Sequence, residues 1–114
     1  MSPRRRSGIA APRRASLVFA ALGDQTRLTL VARLSGGQAH SISELTQGSR
    51  LTRQAMTKHL RVLERAGIVH AARSGRESRF AFDPGSLEPV KKYIDLLSEQ
   101  WDESLWRLKS FVED

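Results

Sequence analysis

The stretch Leu51-Thr52-Arg53-Gln54-Ala55-Met56-Thr57-Lys58-His59-Leu60-Arg61-Val62-Leu63-Glu64-Arg65-Ala66-Gly67 has the length and spacing of one helix. Thr52 is suited to the N-cap, where its hydroxyl can accept a hydrogen bond from an otherwise unpaired amide. Gly67 can supply the left-handed residue that ends the helix. Met56, Leu60 and Leu63 fall four and three apart and so share one apolar stripe. The other side carries Gln54, Thr57, Lys58 and Arg61, with Arg53 and Arg65 at its margins. Such a helix can rest on a small core and present hydrogen-bond donors outward. Those residue types read base edges in a major groove. A basic amphipathic helix alone is most often only solvated, so the flanking segments decide.

The chain has 114 residues, enough for a single modest core. No apolar run approaches the roughly 20 residues that span a bilayer. Arginines crowd the N-terminus, but Pro12, Arg13 and Arg14 interrupt it before a signal-peptide core could form. Cysteine is absent, which removes disulfides and thiol chemistry. A cytoplasmic protein is expected. The net charge of +7 is unevenly spread: residues 1–82 hold 15 Lys/Arg against 4 Asp/Glu, residues 83–114 hold 4 against 8. A basic body with an acidic end suits a polyanion on one side and protein or water on the other. No membrane partner is expected, since no helix joins a basic face to bulky exposed aromatics.

Residues 1–14, with Arg4, Arg5, Arg6, Arg13 and Arg14, are expected to form a disordered basic tail. Such a tail can add phosphate attraction or simply solubilise. Residues 15–114 are expected to form one domain. Ala15 to Leu22 should be a helix broken at Gly23. Asp24 should cap a second helix through about Leu34, with Leu28, Val31, Ala32 and Leu34 inward. His40 falls in or near the following loop and is expected to be solvated. Ser41 and Glu44 have capping-box spacing and open a short helix containing Ile42 and Leu45. Two helices joined by a three- or four-residue turn, the second longer and basic outside, match a helix-turn-helix. Next come two short segments, Ile68 to Arg73 and Arg79 to Asp83, around Ser74-Gly75-Arg76. They predict a β-hairpin with Arg73, Arg76 and Arg79 at its tip. The fold expected is mainly α with a small β-hairpin, a winged helix-turn-helix.

From about Leu87 to Val112 the spacing predicts a long helix with the stripe Val90, Ile94, Leu97, Trp101, Leu105, Leu108 and Val112. Tyr93, Leu96 and Phe111 widen that stripe beyond what one small domain covers, while Trp106 falls off it. The expected partner is a second copy about a two-fold axis, with Leu17 and Phe19 of the first helix joining the interface.

Leu22-Gly23-Asp24-Gln25-Thr26-Arg27-Leu28 resembles the opening motif of ArsR-type winged-helix repressors. Thr52 to Leu63 and Ala66-Gly67-Ile68-Val69 resemble their recognition-helix signature. Gly75-Arg76-Glu77 and the Trp-containing last helix look like a metal-independent branch. The resemblance covers roughly residues 15 to 113. It implies a homodimer that binds a pseudo-palindromic operator in double-stranded DNA and represses transcription, often of its own operon. Sensing members of the family place cysteines before the recognition helix, or Asp/His pairs on the last helix. Here the first region reads Ser43-Glu44-Leu45-Thr46-Gln47, and the last helix has no histidine. Asp95, Glu99 and Glu103 share a helix edge, but carboxylates alone favour hard cations. No metal, cofactor or thiol switch is expected, and no residue pattern identifies a small-molecule inducer.

Within this reading Arg53, Gln54, Thr57 and Lys58 read or flank base edges. Arg50, Thr52, His59 and Arg61 hold the DNA backbone, and Arg73, Arg76 and Arg79 line the wing. Catalysis is not expected, because His59 and His70 lack a nucleophile or carboxylate at a motif spacing and no phosphate-cradling Gly-rich loop is present. An alternative is a protein-interaction module that docks a partner through the apolar last helix, with incidental DNA contact. A non-specific nucleoid protein is a third reading, against which the mixed Gln, Thr and Lys face argues.

Overall fold

The computed structural model describes residues 12–113. The chain runs α1 (Arg13–Leu22), α2 (Gln25–Leu34), β1 (His40–Ser41), α3 (Ile42–Thr46), α4 (Arg53–Arg65), β2 (Val69–Ser74), β3 (Glu77–Phe82), a 3-10 turn (Pro84–Leu87) and α5 (Glu88–Glu113). Helices dominate, and the strands form one antiparallel sheet in the order β1-β3-β2. Among the described residues, no helix is long and apolar enough to cross a membrane.

The core forms where four amphipathic faces meet. From α4 come Met56, Leu60 and Leu63, the stripe expected from spacing, all buried. Leu34 of α2, Leu45 of α3, Ile68, Val69 and Phe80 close around them, each fully buried. Phe80 lies on the central strand, opposite Ala71 of β2 and His40 of β1. The inward side of α2 differs from expectation. Leu30 and Leu34, four apart, are buried, whereas Leu28 is 52% exposed and Ala32 is also exposed. With about 100° per residue, Leu28 lies some 200° around the helix from Leu30 and cannot share its face.

Local chemistry fixes the element ends. Asp24 accepts from the Arg27 amide at 3.1 Å and caps α2. Ser41 and Glu44 form the expected capping box, with reciprocal bonds of 3.1 and 3.0 Å. Thr52 caps α4 through the Ala55 amide. At the other end Gly67, at φ +79°, lets the chain reverse: its amide donates to the Glu64 carbonyl and that of Ile68 to the Leu63 carbonyl. These are the two bonds of a Schellman motif, and they aim the chain directly into β2.

Three expectations need correction. The first helix begins at Arg13, not Ala15. Pro12 sits at its N-cap, and its carbonyl accepts the first helical bond from Ser16, so Arg13 and Arg14 belong to α1 and not to a tail. The expected disorder of residues 1–11, including Arg4, Arg5 and Arg6, lies outside the described residues. The hairpin strands reach closer to the tip than expected, because Ser74 pairs with Glu77 and leaves a two-residue turn. Gly75 there has φ +66° while Arg76 does not have positive φ, the pattern of a type II′ turn. Finally, His40 is not in a solvated loop. It pairs with Phe80 in β1, a strand too short to show any period.

α5 projects away from this body. At about 1.5 Å per residue its 26 residues span about 39 Å. The radius of gyration is 19.1 Å, against about 13 Å for a compact chain of this size. Only Val90 is buried, so this residue belongs to the protomer's own core and not to the dimer interface expected for it. Tyr93 meets Phe19 of α1 edge-on, ring centres 6.2 Å apart. Beyond that contact Ile94, Leu97, Trp101, Leu105, Leu108 and Val112 are all exposed, Trp101 by 63% and neighbouring Phe111 by 80%. Leu17 and Phe19 are exposed beside them on α1. Trp106 is exposed under the Lys109 ammonium, a cation–π contact at 5.7 Å.

Leu63→Ala should lower unfolding free energy by about 2–5 kcal/mol. Leu28→Ala should change it by about 0.5 kcal/mol or less. Urea midpoints of the two variants check the burial pattern; equal losses would contradict it.

Candidate nucleic-acid interface

Because the caps and the core hold α4 from beneath, its opposite face is turned to solvent. Arg53, Gln54, Thr57 and Lys58 line one open surface there. Gln54 and Lys58 are exposed, and neither makes a side-chain bond among the described residues. The Thr57 hydroxyl donates to the Arg53 carbonyl at 2.8 Å, which leaves its oxygen free to accept. Thr52 accepts the cap bond, so its own O–H remains available as a donor. Arg50 is exposed in the connection, which runs over residues 47–52 and is longer than the three or four residues expected. Arg61 is exposed but paired with Glu64 at 2.9 Å, which offsets part of its charge.

Two of the expected contact residues have other roles. His59 lies on the inner edge of α4. Its Nδ1 is 3.2 Å from Arg27 Nη1, an arrangement in which the guanidinium donates and the ring accepts, and it lies 3.9 Å from Asp24 Oδ2. Arg27 also donates to the Ala21 carbonyl at the end of α1. The Asp24-x-x-Arg27 motif therefore clamps α1, α2 and α4 together. In the sequence nothing but its place in that motif marks Arg27 for such a role. Arg79, expected on the wing, points back into the domain. It donates to the Ala39 carbonyl at 3.1 Å, to Glu44 at 3.0 Å and to Glu77 at 3.2 Å. It braces β3 against the start of α3. The reason is register: Arg79 stands opposite Ser41, three residues beyond Arg76 of the turn.

That leaves Arg73 and Arg76 as exposed arginines near the end of the wing. Between wing and helix lies a narrow cleft bordered by Ser43, Arg53, Arg76 and Glu77. Arg53 leans into it, its Nη1 donating to Ser43 Oγ at 2.7 Å. Nothing at short range in the sequence links Ser43 to a residue ten positions on, so this bond was not legible there.

Three carboxylates titrate below their ordinary range. Asp24 is lowered chiefly by the Arg27 amide, Glu44 by the Ser41 amide and then Arg79, and Asp83 by the hydrogen bond from His70 and then the Gly85 amide. Each stabilises one junction around α4: the α2 cap, the α3 cap and the base of the wing.

A family model described as a helix-turn-helix domain matches residues 22–70, which run from the end of α1 into the wing. An uncharacterised HTH-type transcriptional regulator of Bacillus subtilis, YuzN, is 37% identical over 83 residues, covering 68% of this chain and 87% of the relative. The HTH-type transcriptional regulator Rv2034 of Mycobacterium tuberculosis is 32% identical over 75 residues, 66% of this chain and 69% of the relative. Among solved structures, an ArsR-like transcriptional regulator from Rhodococcus sp. RHA1 superposes with a TM-score of 0.74 at 31% identity. The match covers 86% of this chain and 92% of that one.

A lowered folded-state pKa gives stability that is present above the unfolded pKa and is lost as pH falls through the folded one. Stability should therefore fall as pH drops below about 4. Glu44→Gln should be less stable at neutral pH and decline less steeply in acid, as read by thermal unfolding from pH 7 to 3. Arg27→Ala should cost about 1.5–3 kcal/mol through its lost charged hydrogen bonds. A urea midpoint equal to that of the unmodified protein would refute the clamp.

Proposed function

The chain belongs to the ArsR-type winged helix-turn-helix transcriptional regulators, DNA-binding proteins, and from that membership we propose a homodimeric repressor that reads a pseudo-palindromic operator without a metal or thiol sensor. The observation that carries the reading is the outward face of α4, where Gln54, Thr57 and Lys58 stand over a closed core. Gln can bond adenine by two contacts and Lys can bond guanine, so the face can discriminate bases rather than merely attract phosphate. Arg50 and Thr52 flank it with donors for the DNA backbone, and Arg73 and Arg76 extend the same role to the wing.

Dimerisation is supported by the exposed stripe of α5 from Ile94 to Val112, continued by Leu17 and Phe19. Its length and apolar width exceed what the domain covers. A second copy brings an identical stripe, and the two-fold axis sets two α4 helices about 34–36 Å apart, one turn of B-DNA. Occupancy of such a site by a dimer would obstruct a polymerase, which is how repression would follow. The absence of a metal or thiol sensor is proposed from donor chemistry. The chain has no cysteine, and Asp95, Glu99 and Glu103 offer only hard oxygen ligands.

Gln54→Ala and Lys58→Ala should each weaken binding to the preferred duplex by about 1–3 kcal/mol and relax preference at a base pair. Gel-shift titration against the DNA flanking the gene tests this; unchanged affinity in both would show the wrong face has been chosen. Leu97→Glu with Leu105→Glu should yield a monomer in sedimentation and reduce two-half-site binding to single-half-site binding. Should the unmodified protein sediment as a monomer at micromolar concentration, the dimer is wrong and α5 is left for a different protein.

A further inference from the structure

We infer that the cleft between the wing and α4 seats one phosphodiester group of the DNA backbone, gripped by Arg53 and Arg76 together, so that Arg53 holds phosphate and does not read a base. This rests on the DNA-binding reading above and specifies what one part of that surface takes.

The cleft measures about 210 Å³ and opens between α3, the first turn of α4 and the hairpin. It far exceeds the ~10–15 Å³ that one water needs, and its walls are polar. Arg53 borders it from the helix and Arg76 from the type II′ turn. The carboxylate on its border is Glu77, and that group is already engaged by Arg79 at 3.2 Å. Among the described residues, no ion pair involves Arg53 or Arg76. Two arginines thus border one small opening with no ion-pair partner among the described residues. Their planar forks match phosphate oxygens in shape as well as charge.

The Ser43 bond decides which way Arg53 works. Arg53 borders both the open α4 surface and the cleft. With Nη1 tied to Ser43 Oγ at 2.7 Å, the guanidinium is held toward the α3 side of that surface. The tether also restrains a long side chain before DNA arrives, which reduces the rotamer entropy lost on binding. Ser43 accepts that bond, so its own O–H is left to donate to the same anion. Ser43 is accordingly a positioning residue for Arg53.

The test uses the full chain and the best-bound duplex from an in-vitro selection with the unmodified protein. Each phosphate in turn is replaced by a neutral methylphosphonate, and affinity is followed by fluorescence anisotropy. Among the phosphates that prove costly to neutralise for the unmodified protein, one per half-site should be the phosphate held by the cleft. Replacing that phosphate should cost less in Arg53→Ala and in Arg76→Ala than in the unmodified protein, and nothing in the double variant. Removing either arginine should flatten the plot of log K against log salt by about 0.9 for each phosphate it had neutralised, with base preference unchanged. Ser43→Ala should give a smaller loss at that same phosphate, and Ser43→Thr should restore it. Sensitivity of the two arginine variants to different phosphates overturns the shared grip. A relaxed preference at one base pair in Arg53→Ala overturns the phosphate role. A selection that enriches no duplex overturns the DNA-reading interpretation itself, an outcome distinct from the other two.

Discussion

Burying Met56, Leu60 and Leu63 obliges α4 to turn its remaining face to water, and the rest of the domain is arranged to keep it there. Leu34, Leu45 and Phe80 come from three different elements, so the stripe is gripped from several directions rather than laid on one neighbour. Interiors pack as densely as organic crystals, and a helix seated in such a core cannot roll without opening voids. The Thr52 cap and the Schellman bonds at Gly67 set where the helix begins and ends. Pre-organisation of this kind limits the ordering cost that DNA binding must overcome.

Seven of the arginines fall into two groups with different work. Arg27, Arg33 and Arg79 are committed inside the domain. Arg33 donates to the Leu45 and Glu44 carbonyls, satisfying acceptors at the end of the five-residue helix α3. Arg27 and Arg79 join elements far apart in sequence through carbonyls and side chains. Guanidinium suits this task because its fixed fork reaches two or three acceptors at once. Arg50, Arg53, Arg73 and Arg76 are the outward group, and they lie along the α4 and wing side of the domain. Net charge therefore overstates the field offered to a polyanion, which depends on where the uncommitted cations sit.

How far the sequence could be read follows the range of the interactions. Caps act over three residues and apolar stripes over three or four, and both left plain marks: Asp24, Ser41 with Glu44, Thr52, Gly67, and the spacing of Met56, Leu60 and Leu63. The wing was visible as two alternating segments around Gly75. Long-range pairings left none. That Arg79 answers Glu44 and Ala39 is set by sheet register, and that His59 faces Arg27 is set by the crossing of two helices. Both residues are cationic or polar by type, and both turned inward. Leu28 misled for a simpler reason: in an α2 rich in leucines, two stripes compete, and only the packing against α4 selects Leu30 and Leu34. For Val90 the stripe was right and the boundary was not, since the first turn of α5 still belongs to the protomer's core.

The meeting of Phe19 with Tyr93 has a mechanical consequence. It is the last aromatic support before α5 leaves the body, and about 28 Å of helix extends from Tyr93 to Val112. A pivot so near one end makes the helix a lever: a 5° tilt there displaces the far tip by roughly 2.5 Å, nearly two residues of helical rise. Whatever grips the distal end therefore has strong mechanical advantage over the angle at which the head is carried.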